Sequence, residues 1–350
     1  MAHPSAFRRT PESLRAFTAA VLRVEGVPAA DAGLLADTLV AAELWGHPSH
    51  GMLRLPWYVA RLRTGATQRV TKIETVRDTG ALMVLDGGNG IGQVIADHAV
   101  ALGIERAKQY GVSAIGVRNS GHFGTAAYFT RQAAEAGCIA LLCTNASPAM
   151  APWGGRHKSI GTNPWSIAAP AGRHGVVVMD LANTAVARGK VYLAAERGDP
   201  IPADWAADAD GNPTTDPRAA IEGLILPMAG PKGYVISFLF DVLAGVLTGS
   251  AFGADVAGPY QPDAVSGAGH LLLTIDVAAM ADLGEYTARV EALVETTRSA
   301  EKAPWADEIL VPGELEDRQA ELNAAGITLT ETTWQSLAGL SADTQVELPA

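Results

Sequence analysis

Three features of the chain predict an α/β fold. Residues 113–117 read as a strand, 118–125 as a glycine-flanked polar loop, 125–136 as a helix and 139–144 as a second strand, which together form a parallel crossover unit. Residues 81–86 read as another strand, leading through a glycine-rich run into a helix over about 94–108. Residues 165–169 and 176–180 read as a hairpin joined by the polar turn Gly172–Gly175.

The chain has 350 residues, 48% of them hydrophobic and 18% charged, so it can bury a large core in two or three lobes and does not read as disordered. A net charge of -11 without any basic run argues against a nucleic-acid or anionic-membrane partner. There is no apolar stretch of about 18 residues, and residues 1–26 lack a signal-peptide core, so a cytoplasmic protein is expected. The two cysteines, Cys138 and Cys143, bracket an apolar strand and read as buried hydrophobes, neither a disulfide nor a metal pair. No metal site is expected.

Taken in order, Pro11 and Glu12 open a helix with an apolar stripe at Leu14, Phe17, Val21 and Val24. A second helix over residues 31–45 delivers the chain to Gly46 and Pro48, and a short helix resumes over residues 56–62. Between these helices stand Ser49, His50 and Arg54: a hydroxyl, an imidazole that titrates near neutrality and a fixed cation able to grip a carboxylate with two hydrogen bonds. If the chain resumes as a helix after Gly51, Arg54 lies one turn beyond His50 on the same side. A solvated, Gly/Pro-punctuated corner is the competing reading.

The glycines at 87, 88, 90 and 92 do not match the dinucleotide fingerprint Gly-x-Gly-x-x-Gly, and no acidic residue follows at ribose-binding distance, so they read as a mobile turn. His122, between Gly121 and Gly124 at a strand's carboxyl end, has room for a ligand against its ring. Asp180 closes a strand and either binds ribose hydroxyls or caps the following helix. Arg188 and Lys190 head another helix, where Lys190 would lower a neighbouring imidazole's pKa or bind substrate anions. Residues 200–217, including the Asp208 run, lack the calcium-loop pattern and read as a solvated loop. Lys232 opens an apolar helix running through residue 247, at a glycine-rich start suited to a phosphate. Residues 270–276 read as a strand, 280–297 as a helix, 308–314 as a strand ending in a turn, and 325–330 with the helix from about 331 as a terminal cap.

Several of these segments carry a resemblance. Ser49-His-Gly followed by Arg54-Leu-Pro-Trp-Tyr58, Asn119-Ser-Gly-His-Phe-Gly124, Gly161-Thr-Asn-Pro164, Asp180-Leu-Ala182, Arg188-Gly-Lys190, Gly230-Pro-Lys-Gly-Tyr234 and Pro312-Gly-Glu314 resemble, in order and along nearly the whole chain, the malate/L-lactate dehydrogenase family that includes ureidoglycolate and sulfolactate dehydrogenases and piperideine-2-carboxylate reductases. The resemblance implies a mixed-sheet, non-Rossmann nicotinamide-dependent fold of two lobes. Residues 119–290 would form the cofactor lobe, and residues 1–118 with 291–350 the helical, substrate-binding and dimerisation lobe of a homodimer. It assigns NAD or NADP contacts to His122, Phe123, Gly124, Ser147, Thr162, Asp180, Leu181, Ala182, Lys232, Pro312, Gly313 and Glu314. Ala146 departs from the polar residue that some members place there, with Ser147 next to it, and Lys190 stands where some members have Asp.

The function implied is hydride transfer between NAD(P) and C2 of a small 2-hydroxy or 2-oxo carboxylate, the cofactor supplying the hydride and the protein the proton and charge. His50 ranks first and His122 second for proton transfer; Ser49 orients the imidazole, Lys190 completes the polar wall, and Arg54 and Arg188 bind substrate. An NADPH-dependent reductase of a cyclic imino acid is the neighbouring alternative, and a non-catalytic cofactor-binding protein a more distant one. A Ser–His hydrolase is disfavoured because the two residues are sequence neighbours and no Gly-x-Ser-x-Gly elbow is present.

Overall fold

The computed structural model describes residues 7–350, apart from the side chains of Leu193 and Glu196. Its centre is a mixed sheet of seven strands: β1 (Glu74–Asp78), β2 (Leu82–Asp86), β3 (Val112–Ser120), β4 (Cys138–Thr144), β5 (Trp165–Pro170), β6 (Val176–Leu181) and β7 (Ala268–Asp276). The spatial order is β1-β2-β3-β7-β4-β5-β6, and only β2 and β3 pair in parallel. Because β7 runs antiparallel to both β3 and β4, these two strands run parallel to each other, as the crossover unit expected over residues 113–144 requires. β7 inserts antiparallel between β3 and β4, and the adjacent parallel pair is β2–β3. Residues 165–181 do form the hairpin.

The helices, in chain order, are α1 (Pro11–Val24), α2 (Ala29–Leu44), α3 (Leu55–Thr64), α4 (Gly92–Tyr110), α5 (Ala127–Glu135), α6 (Arg188–Arg197), α7 (Pro217–Glu222), α8 (Pro231–Phe240), α9 (Val277–Met280), α10 (Leu283–Arg298), α11 (Glu314–Asn323) and α12 (Glu331–Thr344). Residues Asp241–Val246 continue α8 as a π-helical turn. No described helix is long and apolar enough to cross a membrane.

Strand alternation divides the core. Ile115, Val117, Ala140, Leu142 and Leu272 face α4 and α5, whereas Cys143 and Leu271 face Phe240 and Ala244. Cys138 and Cys143 are free, buried and on opposite faces. A second core joins α1, α2, α3 and α12 through Leu14, Leu39, Leu55 and Leu337, giving the other lobe. Its ends are set locally: Thr10 caps α1 by accepting from Ser13 N–H, with Pro11 in the first turn, and Thr330 caps α12 by accepting from Thr333 N–H. The expected boundary at residues 118/119 falls inside β3, so one sheet is shared by both segments.

One further expectation changes. Residues 308–313 do not form a strand: Pro312 has no N–H to give, and Val311 N–H is taken by the Glu314 carboxylate at 2.6 Å. The glycine run at 87–92 makes the expected turn between β2 and α4, at residues 88–89, and is also a packing seat. A Cβ on Gly92 would stand 2.5 Å from Gly121 O and 2.6 Å from His122 O, so only glycine lets α4 meet that loop.

Candidate active site

Between α2 and α3 the chain makes two successive 3₁₀ turns, Pro48–His50 and Met52–Arg54. The turn between them is built on Glu43, a buried carboxylate of α2 that accepts from Met52 N–H at 2.8 Å. A Cβ on Gly51 would lie 2.3 Å from Glu43 Oε1, which is why the residue after His50 is glycine. Burial pushes the Glu43 carboxyl up to about 7, against the opposing pull of the Met52 N–H.

On this turn Ser49 Oγ lies 3.0 Å from His50 Nδ1. Arg54 Nε donates to Ser49 O at 2.5 Å, and its guanidinium lies over the Trp57 ring, 3.9 Å from the centroid. The His122 ring, arriving from the loop after β3, stacks on His50 with centroids 5.6 Å apart and planes 16° apart. Tyr58 of α3 hydrogen-bonds His122 Nδ1 at 2.6 Å, and Gly124 N–H donates to the same nitrogen at 3.3 Å. A backbone N–H can only donate, so Nδ1 is an acceptor, Tyr58 is the donor and the ring proton sits on Nε2.

Both imidazoles are held neutral. Burial lowers His50 to about 4, helped by Arg54 and His47. Burial also lowers His122 well below its ordinary value, with His50, Arg54 and Arg61 adding to it. Arg54 and Arg61 are the fixed cations in this effect, and Lys190 is exposed at the start of α6. Arg188, on the same turn, lies over the Tyr192 ring.

The residues expected to hold the cofactor fall in two places. Asp180 and Leu181 share a groove of about 440 Å³ with Pro312, Gly313, Trp45 and His47, a volume suited to part of a small-molecule ligand. Gly313 packs so closely that a Cβ would meet Val178 at 2.8 Å. Asp180 Oδ2 accepts from Ala127 N–H at 2.8 Å, so it caps α5 and not the helix that follows it in sequence; burial pushes its carboxyl up to about 6. Glu314 is committed to Arg298 and Val311 N–H, which hold it below the usual carboxylate range despite burial. Phe123 turns its ring into the core against His270 and Phe129.

The second place is stitched by two buried asparagines. Asn163 Oδ1 accepts from Ala146 N–H, and its Nδ2 donates to Ser237 O. Asn183 accepts from Trp165 Nε1 and donates to Asn163 O. The segments carrying Ser147, Thr162, Ala182 and the α8 start with exposed Lys232 are thereby brought together.

Sequence reasoning assigned no role to Glu43, Tyr58, Arg61, Asn163 or Asn183. Tyr58, Asn163 and the Arg54 motif were signalled by their place in recognisable segments, whereas nothing in one dimension places Glu43 beneath Gly51.

Comparison with known proteins agrees with this geometry. The sequence profile described as malate/L-lactate dehydrogenase matches residues 10–338. L-sulfolactate dehydrogenase of Methanothermobacter thermautotrophicus is 37% identical over 342 residues, 97% of this chain and 98% of that protein. The solved sulfolactate dehydrogenase of Methanocaldococcus jannaschii superposes with a TM-score of 0.93 at 35% identity, covering 97% of this chain and 98% of that one. For the malate dehydrogenase of Pyrococcus horikoshii the TM-score is 0.89 at 31% identity, covering 97% and 96%.

Proposed function

The chain belongs to the malate/L-lactate dehydrogenase family, and on that premise we propose that it moves a hydride between NAD or NADP and C2 of a small 2-hydroxy or 2-oxo carboxylate of the malate, sulfolactate or lactate kind. A bound nicotinamide supplies or takes the hydride. Asp180, Leu181, Pro312 and Gly313 in one groove, with Ser147, Thr162 and Lys232 on the asparagine-stitched segments, are the residues that would hold it.

The observation that carries the chemistry is the unlike pair of stacked imidazoles. His122 receives two donors on Nδ1, so its Nε2–H can only donate toward a substrate oxygen. His50 faces a hydroxyl, which can accept as readily as donate. With Nδ1–H given to Ser49 Oγ, His50 presents a bare Nε2 and takes the substrate's hydroxyl proton. Its depressed pKa keeps that nitrogen unprotonated at neutral pH. Arg54, fixed by Ser49 O and stacked on Trp57, offers its remaining N–H groups to the carboxylate.

The test is absorbance at 340 nm with malate, sulfolactate, lactate and a cyclic imino acid, each with both cofactors. Turnover of a 2-hydroxy acid is expected. Turnover of the imino acid alone would replace the reading by its reductase alternative, and cofactor binding without turnover would remove the enzyme reading.

We also propose a homodimer. Val235, Phe238, Leu239, Val242 and Val246 recur at helical spacing along α8 and its π turn and are all exposed, an apolar stripe that a second copy of the chain would cover isologously. This moves the expected contact from the helical lobe to α8. A dimer is expected by light scattering at micromolar concentration, and a monomer there would remove the proposal.

A further inference from the structure

Gln93 lies in the first turn of α4, and its side chain is completely buried. Gln93 lies near enough to the Tyr58 phenol to pull its pKa down against the larger upward push of burial, yet neither Oε1 nor Nε2 has a partner in good hydrogen-bond geometry. Together with Tyr58, Arg61, His122 and Ser266, the side chain lines a small cavity of about 20 Å³. That volume admits one water and nothing larger, since a water needs roughly 10–15 Å³ of such space and two to four polar partners. Arg61, whose Nη1 donates to Gly258 O and Gln261 O, forms a fixed polar wall. The close approach of Gly92 to Gly121 O and His122 O ties the start of α4 to the His122 loop, so Gln93 keeps its place relative to that ring.

Tyr58 has one hydrogen, and it goes to His122 Nδ1. The lone pairs of its oxygen then need donors; Gln93 Nε2–H lines the same cavity, which has room for one water. We propose that Gln93, with a single water bound in this cavity, is a positioning residue that holds the Tyr58 oxygen by its lone pairs and so keeps the Tyr58 hydrogen on His122 and the His122 proton on Nε2. The inference rests on the reading of His122 as the hydrogen-bond donor to substrate. A partner one step removed from the reacting atoms sets an imidazole tautomer in the same way that outer partners do around metal-bound histidines.

Three measurements on the full chain decide it. In a high-resolution crystal structure of the wild type, one water is expected between Gln93 and Tyr58, and a dry cavity overturns the proposal. In ¹⁵N spectra of the histidine rings, wild-type His122 is expected as the Nε2–H tautomer. Gln93→Met, close in size but unable to hydrogen-bond, is expected to mix the tautomers, and an unchanged His122 signature overturns the role. In turnover with the acid that the wild type accepts, Gln93→Met is expected to lower kcat about tenfold with KM and cofactor Kd unchanged. Losses of kcat, KM and melting temperature together would mark a merely structural residue. A wild type inactive on every acid would refute the dehydrogenase reading and leave the water and tautomer measurements to judge Gln93.

Discussion

The two halves of the candidate site are built differently. The proton-handling half, Ser49, His50, Arg54, Tyr58 and His122, is cross-bonded, half-buried or buried, and seated on the cores of both lobes. The half proposed to bind anions stands at helix starts, with Lys190 and Lys232 exposed and Arg188 half-buried. The difference follows from what each must do. A proton moves only over hydrogen-bond distances between groups whose tautomers are fixed in advance, whereas a lysine attracts a phosphate or carboxylate through charge and can close on it late.

Removing the base tests the fixed half hardest. His50→Ala is expected to lower kcat by about 10²–10⁴ with cofactor binding intact, the usual worth of a positioned acid/base. His122→Ala is expected to lose less, because a neutral donor is removed and the base remains. Steady-state kinetics on both variants, after their thermal stability is shown close to wild type, checks this. If His122→Ala abolishes turnover while His50→Ala retains it, the proton role passes to His122 and the turn at Ser49 becomes a substrate clamp.

The exposed half responds in binding. Lys232→Ala removes one charge-assisted contact to a cofactor phosphate, roughly 1.5–3 kcal/mol, so the cofactor Kd should rise about tenfold or more. Titration by nicotinamide fluorescence that leaves Kd unchanged would place Lys232 outside the phosphate site.

The same contrast governs what could be read from the sequence. Helix α1 was legible to its ends because Pro11 and Glu12 open it and its apolar stripe has one period. The His122 loop was legible as a ligand site because glycines flank a histidine after a strand. The insertion of β7 between β3 and β4 was not, since strand order is settled by residues about 125–165 positions apart that carry no local signal. The glycines at 87–92 were legible as a turn but not as a packing seat: both call for the same residue, and the approach of Gly92 to His122 O is visible only in the fold. Glu43 was invisible as a site residue because an acidic side chain at a helix end ordinarily reads as solvated.

Glu43 offers a smaller and more selective perturbation of the fixed half. Its carboxyl is near 7 in the folded chain against 4.5 ordinarily, so the folded state retains a proton that the unfolded state releases between those values. The stability this contributes is complete below about pH 4.5 and is lost as pH rises through 7. Glu43→Gln keeps an acceptor for Met52 N–H and removes the titration. The variant should therefore gain stability relative to wild type between pH 5 and pH 8, on the order of 2 kcal/mol. The lowered His50, His122 and His270 work in the opposite sense but are common to both proteins and cancel in the difference. Denaturant unfolding at the two pH values measures it, and a pH-independent difference would show that the carboxylate is solvated.

Arg54→Lys should give the smallest change and the finest division between grip and chemistry. Arg54 spends Nε on Ser49 O and lays its guanidinium plane on Trp57, which leaves the outer edge of the fork free for a carboxylate. Lysine keeps the charge but has neither a plane to stack nor a second N–H to present in parallel. If the grip is equally strong in ground and transition states, KM for the acid rises roughly fivefold, about 1 kcal/mol, while kcat stays near wild type. A fall in kcat at constant KM would mean that the guanidinium acts through Ser49 on the orientation of His50. In that case Arg54 would serve the orientation of His50 and not the grip on the carboxylate.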